Sequence, residues 1–364
     1  MKMVKSRLVW LVLAAWAALA ANVSVAAGQG PRVGDGGIRV TERPQQRLRV
    51  APGQYSGITH VAGDRYAVVD DKLPGGGIVF FELPLRKDGS VRAARVRRTV
   101  PEATLTASEK GLDNEGVAFA GGRLYVSAES DQSIREYDLD GRPTGRAFPV
   151  PADMGVSAIT GNSGFEALTH CAQTGSFWTT TELPLKADGR ASRLHRLQRF
   201  DAGFQAAERY LYQTDGPSRS QAETSSAMAY VFGISALTAL DDGRLIVLER
   251  EVFVPSGTPG SILQTAFSRV KLYVVRPAGD GRDILPKQLL CEFETRISLR
   301  ATGVGVALAN YEGMCLGPRL PDGRRCLILL ADSQAGMGDL AARLGRKVIT
   351  NEFVKVLLLE GEDI

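Results

Sequence analysis

The chain has 364 residues, a formal charge of +4, 40 Gly, 17 Pro and four Cys. So small a charge argues against a protein built to coat nucleic acid. The length is enough to bury a sizeable core, and the Gly and Pro content suits a turn-rich β protein.

In chain order, the first feature is a leader. Lys2, Lys5 and Arg7 precede an apolar run from Leu8 to Ala20, and small residues follow at Ala18-Leu19-Ala20 and Val25-Ala26-Ala27. This pattern reads as a secretory signal peptide over residues 1–27, cleaved after Ala20 or Ala27. An uncleaved anchor is the alternative, against which the run is shorter than the ~20 residues that span a bilayer. Cleavage leaves residues 28–364 as the folded domain, lowers the formal charge to about +1, and places the product in the periplasm or outside the cell. No later segment is long and apolar enough to cross a membrane.

After a stretch that reads as extended, Ile38 to Val50, the chain runs through five similar hairpins. They go from Ser56-Gly57-Ile58-Thr59 to Asp70, from Glu115-Gly116-Val117-Ala118 to Glu129, and from Glu166-Ala167-Leu168-Thr169 to Glu182. Two more go from Ser235-Ala236-Leu237-Thr238 to Glu249 and from Glu312-Gly313-Met314-Cys315 to Asp332. The turns carry Gly with Asp or Arg, as in Gly121-Gly122-Arg123 and Asp242-Gly243-Arg244. Each of the first four hairpins is followed by about two further apolar or alternating runs. The last has only Phe353 to Leu359, so Ile38 to Val50 is predicted to supply the missing outer strand. Repeated four-strand units with such a closure predict a single all-β propeller of five blades, or six if an insertion hides a divergent one. The stretches from Gln213 to Gly233 and from Arg250 to Arg269 read as loops, and Asp339 to Lys347 as a short helix.

Four cysteines in an exported chain are compatible with disulfides. Cys315 and Cys326 flank the turn Leu320-Pro321-Asp322-Gly323 and are expected to bridge it, leaving Cys171 and Cys291 to pair by elimination. Four buried thiols are the alternative, and the spacing is wrong for zinc.

A hairpin brings the start of its first strand beside the end of its second. Both acidic positions of every unit therefore fall at one end, and a ring of units gathers them at one mouth of the channel. Glu115, Glu166 and Glu312, with Ser56 and Ser235 in the equivalent places, would meet Asp70, Asp71, Glu129, Glu182, Glu249 and Asp332 there. Crowded carboxylates raise one another's pKa unless protons, basic side chains or cations offset them. An oxygen-rich set without sulfur suits the hard ions Ca²⁺ and Mg²⁺, with calcium the better match for an exported protein. The competing reading is that each acid caps a neighbouring loop, a task Ser, Thr or Asn would perform as well. Arg250, Arg269, Lys72 and Lys110 are the basic residues expected near the rim. His60, His170 and His195 do not form a ligand spacing. No Gly-x-Ser-x-Gly elbow is present, and Gly75-Gly76-Gly77 reads as a turn.

Several of these motifs resemble a known family. Asp113-Asn114-Glu115-Gly116, Asn162-Ser163-Gly164-Phe165-Glu166, Leu245-Ile246-Val247-Leu248-Glu249-Arg250, Asn310-Tyr311-Glu312-Gly313-Met314 and Leu316 to Arg325 are similar, in order, to the phytase-like family named for esterase-like activity of phytase. The resemblance implies a β-propeller whose recurring Glu and Asp carry phosphoester hydrolysis. True β-propeller phytases, six-bladed and calcium-dependent, keep a sixth blade open. Departures are Ser56 and Ser235 where other units have Glu, and Ala331-Asp332-Ser333-Gln334 where an Asp-Asn pair is usual.

The function expected from both lines is a metal-assisted phosphoester hydrolase acting on a small-molecule substrate. Glu115, Glu166 and Glu312 would be candidate proton acceptors and Arg250 the group facing developing phosphate charge, while Asp70, Asp71, Glu129, Glu182, Glu249 and Asp332 would serve as metal ligands. A calcium-stabilised propeller that only binds a ligand or partner, and a calcium-dependent lactonase or esterase, are the alternatives.

Overall fold

The computed structural model describes residues 32–33, 37–51, 53–71, 77–100, 112–300, 303–306, 308–332, 352–361 and 364. The expected leader, Lys72, Gly75, Gly76, Lys110 and the expected helix from Asp339 to Lys347 lie outside them.

Strands pair with their sequence neighbours in five antiparallel sheets. Blade 1 contains Tyr55–Ala62, Arg65–Asp70, Ile78–Glu82 and Arg95–Thr99. Blade 2 contains Asn114–Ala120, Arg123–Ala128, Ser133–Tyr137 and Pro143–Ala147. Blade 3 contains Phe165–Cys171, Ser176–Thr181, Leu194–Phe200 and Ala206–Gln213. Blade 4 is larger, with Ala229–Ala239, Leu245–Val254, Phe267–Val275, Lys287–Arg300 and Gly303–Val306. Blade 5 contains Asn310–Arg319, Arg325–Asp332 and Phe353–Glu360. Its outer strand comes from the chain start: Arg39–Glu42 pairs antiparallel with Phe353–Glu360, Arg39 opposite Glu360 and Glu42 opposite Leu357. The first strands of the blades touch one another in a closed ring. The fold is thus the five-bladed propeller, closed as expected from Ile38 to Val50.

Alternation makes this ring a folded unit. Each blade buries side chains on both faces, and one apolar cluster fills each of the five junctions. Val69 and Val117 lie between blades 1 and 2, Phe148 and Phe177 between 2 and 3, and Leu197 and Val247 between 3 and 4. Leu272 and Leu329 lie between blades 4 and 5, and Val354 and Phe81 between 5 and 1. Full burial of each such side chain stabilises by roughly 1.5–3 kcal/mol. Threonines of the repeat tie blades together across the ring. Thr59 Oγ1 accepts from the Phe119 amide at 3.2 Å, and Thr169 Oγ1 from the Ala239 amide at 3.0 Å.

The two stretches expected to be loops are partly ordered. The first hairpin of blade 4 continues to Ala229 opposite Val254, and short helices form over Gln221–Ser226 and Pro259–Thr265. The extension has its own core of Val252, Val254, Ile262, Ala266, Ile297 and Leu308. The expected disulfides are absent: all four cysteines are buried thiols. Across the hairpin Cys315 faces Ile328 rather than Cys326, while Cys171 and Cys291 lie in different junction clusters. Burial pushes the Cys326 thiol up to about 11, so it is a poor nucleophile at neutral pH.

Candidate metal and catalytic centre at one channel mouth

The site is built by one device repeated five times. Each innermost strand is bulged near its start, with register shifts at Tyr55/Ile58, Asn114/Gly116, Phe165/Ala167, Ile234/Ala236 and Tyr311/Gly313. A bulge leaves an extra residue unpaired and re-aims its side chain. That residue is Glu115, Glu166 or Glu312 in three blades, and Ser235 in blade 4. In blade 1 the longer irregularity takes in Ser56. Small residues follow: Gly57, Gly116, Ala167, Ala236 and Gly313. A Cβ on Gly116 would sit 2.5 Å from the Leu168 amide nitrogen, and one on Gly57 would sit 2.4 Å from the Glu115 carbonyl oxygen. Glycine therefore lets adjacent strands approach, and the waist of the channel narrows to a void of about 10 Å³.

Above the waist lies a cleft of about 650 Å³ lined by Asp71, Glu115, Glu129, Glu166, Glu182, Glu312 and Asp332, together with Arg250. These are eight of the ten expected site residues. Asp70 and Glu249 lie elsewhere, for a reason of parity. The partner of the residue before the bulge is Asp70, Ala128, Thr181, Glu249 or Ala331 in blades 1 to 5. The side chain that turns into the cleft belongs to the next residue: Asp71, Glu129, Glu182, Arg250 or Asp332. Successive residues of a strand face opposite ways. Asp70 accepts from the Gln54 amide at 3.3 Å and lines a separate outer cavity beside Tyr55. Glu249 accepts from Tyr212 Oη at 2.5 Å, the Asp215 amide at 2.9 Å and Lys287 Nζ at 2.7 Å, between blades 3 and 4.

Backbone amides and Arg250 fix the carboxylates. Glu129 Oε1 accepts from the Gly164 amide of the next blade at 2.6 Å. Arg250, 4 % exposed, donates from Nη2 to Glu182 Oε1 at 2.6 Å and to Glu166 Oε1 at 3.4 Å. From Nη1 it donates to Asn310 Oδ1 at 3.1 Å and to Glu312 Oε1. Asn310 Nδ2 donates to the same Glu312 oxygen at 2.8 Å. Burial opposes the Arg250 charge, but Glu182 and Glu166 override it and hold its pKa above the ordinary arginine value.

Glu115 and Glu166 sit at the opposite extreme. Burial raises the Glu115 carboxyl well above the usual range; a hydrogen bond from Ser56 opposes the shift, and the charges of Asp71, Glu129 and Asp113 add to it. Glu166 is raised by burial and by Glu115, Glu182 and Glu129, with Arg250 acting against them. A cation bound among these groups would replace the missing positive charge. The donor chemistry fits one: Asp71, Asp113 and Glu115 bring carboxylate oxygens within 4.8 Å of one another, and so do Glu129, Glu166 and Glu182. Both triads are all-oxygen, suited to hard divalent ions.

Asp113 joins the cluster although only its neighbourhood stood out in the sequence; Asn162 Nδ2 donates to its Oδ2 at 3.1 Å. Also unforeseen is the wall made by Tyr230, Phe232, Val252 and Val254 of the blade 4 extension, with Arg190 from blade 3. The alternation of those apolar residues was the available signal. Arg269 is not at the cleft; it pairs with Glu294 at 3.0 Å on the outer side of blade 4. His60, His170 and His195 are outside it too, and burial lowers His195 to about 4.

A closed five-bladed propeller with an acidic, cation-compatible mouth is therefore the class of molecule that fold and site define. Residues 51–334 match the family described as Phytase-like: Esterase-like activity of phytase, and the chain belongs to that family. No curated protein matches it. Among solved structures, a β-xylosidase (RS223-Beta-xylosidase) is similar at 10 % identity and TM-score 0.43, covering 87 % of this chain and 95 % of that one. Myxococcus xanthus glutaminyl cyclase is similar at 10 % identity and TM-score 0.38, covering 88 % and 97 %. A streptogramin B lyase is similar at 11 % identity and TM-score 0.36, covering 88 % and 98 %.

Proposed function

We propose that the chain is an exported, calcium-assisted phosphoester hydrolase that acts on a small-molecule substrate at the acidic cleft. One observation carries the reading: seven carboxylates from four blades share a single cleft with two arginines, Arg190 and Arg250, and six acidic residues fall into two triads of cation-binding size. Loop capping does not require such convergence.

In this reading Asp71, Asp113 and Glu115 hold one ion and Glu129, Glu166 and Glu182 a second. Bound ions would offset the charge of a substrate phosphate and lower the pKa of an attacking water. Glu115 and Glu166 then act as ligands more than as bases. Glu312 belongs to neither triad, and Arg250 and Asn310 hold it through Oε1, so its other oxygen is the better candidate to accept the proton of water. Arg250 is engaged by three carboxylates and acts as a positioning residue that fixes Glu166, Glu182 and Glu312. The leader at residues 1–27 supports export. Among the described residues, no helix is long and apolar enough to cross a membrane.

The test is turnover of a phosphomonoester and phosphodiester panel by mature protein with calcium, with chelator, and with calcium restored. Hydrolysis lost on chelation and recovered on restoration supports the proposal. An inert protein that calcium nevertheless stabilises would make the cleft a binding site without chemistry. Turnover of a parallel lactone panel alone would move the reaction to a carbonyl.

A further inference from the structure

The channel has a second mouth on the far side of its waist. There the innermost strands of all five blades continue past the pinch and enclose a cup of about 190 Å³. Ile58, Val117, Leu168 and Met314 are shared with the waist and give the cup an apolar floor. Two residues of fixed charge line it. Arg325 starts the second strand of blade 5, and Asp241 lies in the turn of the first hairpin of blade 4.

Neither charge is answered within the protein. Among the described residues Arg325 takes no hydrogen bond or ion pair, and its Nε is buried without an acceptor. Asp241 likewise has no hydrogen-bonded or ion-paired partner among them. Burial lowers the Arg325 pKa below the ordinary arginine value; Asp241 opposes that shift, and the Arg319 charge adds to it. Arg319 itself donates to the Ile364 carbonyl. Arg325 and Asp241 therefore feel each other without touching. Arg250 at the acidic mouth is in the opposite state, raised by the carboxylates it contacts. An unsatisfied buried polar group is costly, and a half-buried Arg and Asp left apart in one cup are a pair with room between them.

The other polar groups of the cup are donors or already spent. Thr59 and Thr169 accept from the Phe119 and Ala239 amides, which leaves each hydroxyl its own proton to donate. Thr238 donates to the Met314 carbonyl at 3.1 Å, and His60 donates from Nε2 to the Gly63 carbonyl at 2.7 Å. Burial lowers the His170 pKa, so that ring is neutral at physiological pH.

We propose that this cup binds a small zwitterion, an α-amino acid with a short apolar side chain. Arg325 takes the carboxylate through paired N–H donors and Asp241 takes the ammonium. The spare threonine protons are further donors, and the side chain rests on the apolar floor. The cup is smaller than an ordinary ligand pocket, which limits the occupant to a compact molecule. A ligand held in this way joins blade 5 to blade 4. The waist separates it from the acidic cleft, so the site stands apart from the hydrolase reading.

The test is titration of L-valine, isovalerate and isobutylamine into the cation-free protein, read by amide NMR shifts and melting temperature. Isovalerate lacks the ammonium of valine, and isobutylamine lacks its carboxylate. Wild type is expected to bind L-valine with a raised melting temperature, and each analogue about tenfold or more weakly. The shifts should cluster at Phe119 and Ala239 and spare Gly164. Arg325→Ala should lose L-valine and isovalerate together, whereas Asp241→Asn should lose only the preference for L-valine. The comparison of analogues uses wild type, so it decides the matter even where a variant does not fold. No binding of L-valine by wild type overturns the site. Isovalerate bound as tightly as L-valine overturns the zwitterion, and shifts centred on Gly164 overturn the placement.

Discussion

Blades 2 and 3 place Glu at both rim positions, whereas blade 4 places Ser235 and Arg250 at the same two. The bulge falls at the same point in all three, so at these two positions the difference lies in side chains. Where two acidic blades adjoin, burial and mutual repulsion leave Glu115 and Glu166 short of positive charge. Where blade 4 adjoins blades 3 and 5, its own arginine supplies charge to Glu182 and Glu312 and, at the longer distance of 3.4 Å, to Glu166. The ring is thus half self-neutralised and half dependent on something from solution, and the asymmetry decides where a cation is needed.

Removing the internal counter-charge should break the comparison most severely. Arg250→Ala strands Glu166, Glu182 and Glu312 in a buried place, and loss of one partner of a buried ion pair costs about 3–5 kcal/mol. Urea unfolding in chelator should show a loss of that size, with Arg250→Lys losing less. A wild-type midpoint in Arg250→Ala would mean that the glutamates hold protons and need no counter-ion.

Removing the external charge should matter next. Saturating calcium at about a hundred times its dissociation constant adds roughly 2.7 kcal/mol to stability, read as a higher melting temperature. The increment should shrink in Glu166→Gln, which removes a ligand from one of the two triads, and survive whole in Glu249→Gln, whose side chain lies outside the cleft. If Glu249→Gln abolished it instead, the placement of the cation triads would be wrong. Phosphoester turnover should follow the same order, falling about a hundredfold or more in Glu166→Gln and little in Glu249→Gln.

A smaller effect comes from making blade 4 resemble its neighbours. Ser235→Glu adds a carboxylate beside Glu166 and Glu312 and removes the hydrogen bond to the Tyr311 carbonyl. It should destabilise the cation-free protein by about 1–3 kcal/mol and steepen its response to calcium.

The gentlest test is pH. The ordinary value for Glu115 and Glu166 is 4.5 and both are raised in the folded protein. Above pH 4.5 the unfolded chain releases protons that the native state still holds. The stability that these two groups contribute without cation is therefore fully present below 4.5 and is lost as pH rises through the folded pKa values. Melting curves in chelator should show that decline, and Glu166→Gln should flatten it.

Much of this was legible in the sequence because it is periodic. The hairpins, their Gly turns and the acidic ends recur, and the open last blade pointed to Ile38 to Val50 as its closing strand. Parity was not legible. Asp70-Asp71 and Glu249-Arg250 each offer two polar residues in succession, and only the bulge decides which faces the cleft. The register that a bulge creates depends on backbone geometry, which leaves no fixed mark in residue types. The blade 4 extension was hidden differently: Ser, Pro, Gly and Thr around it signalled loops, while the alternation Tyr230, Phe232 and Val252, Val254 is too short to overrule them. Asp113 and Asn310 stand two residues before Glu115 and Glu312 within the quoted motifs, but their further partners Asp71, Asn162 and Arg250 belong to other blades, which a single-chain pattern does not encode.

The pinch at Gly57, Gly116 and Gly313 turns the propeller's axis into a blind well. Traffic cannot pass straight through: whatever is admitted at the acidic end has to back out by the same door. For a hydrolase of this shape, liberated phosphate and incoming substrate would queue for one opening, so accumulating product would throttle the reaction.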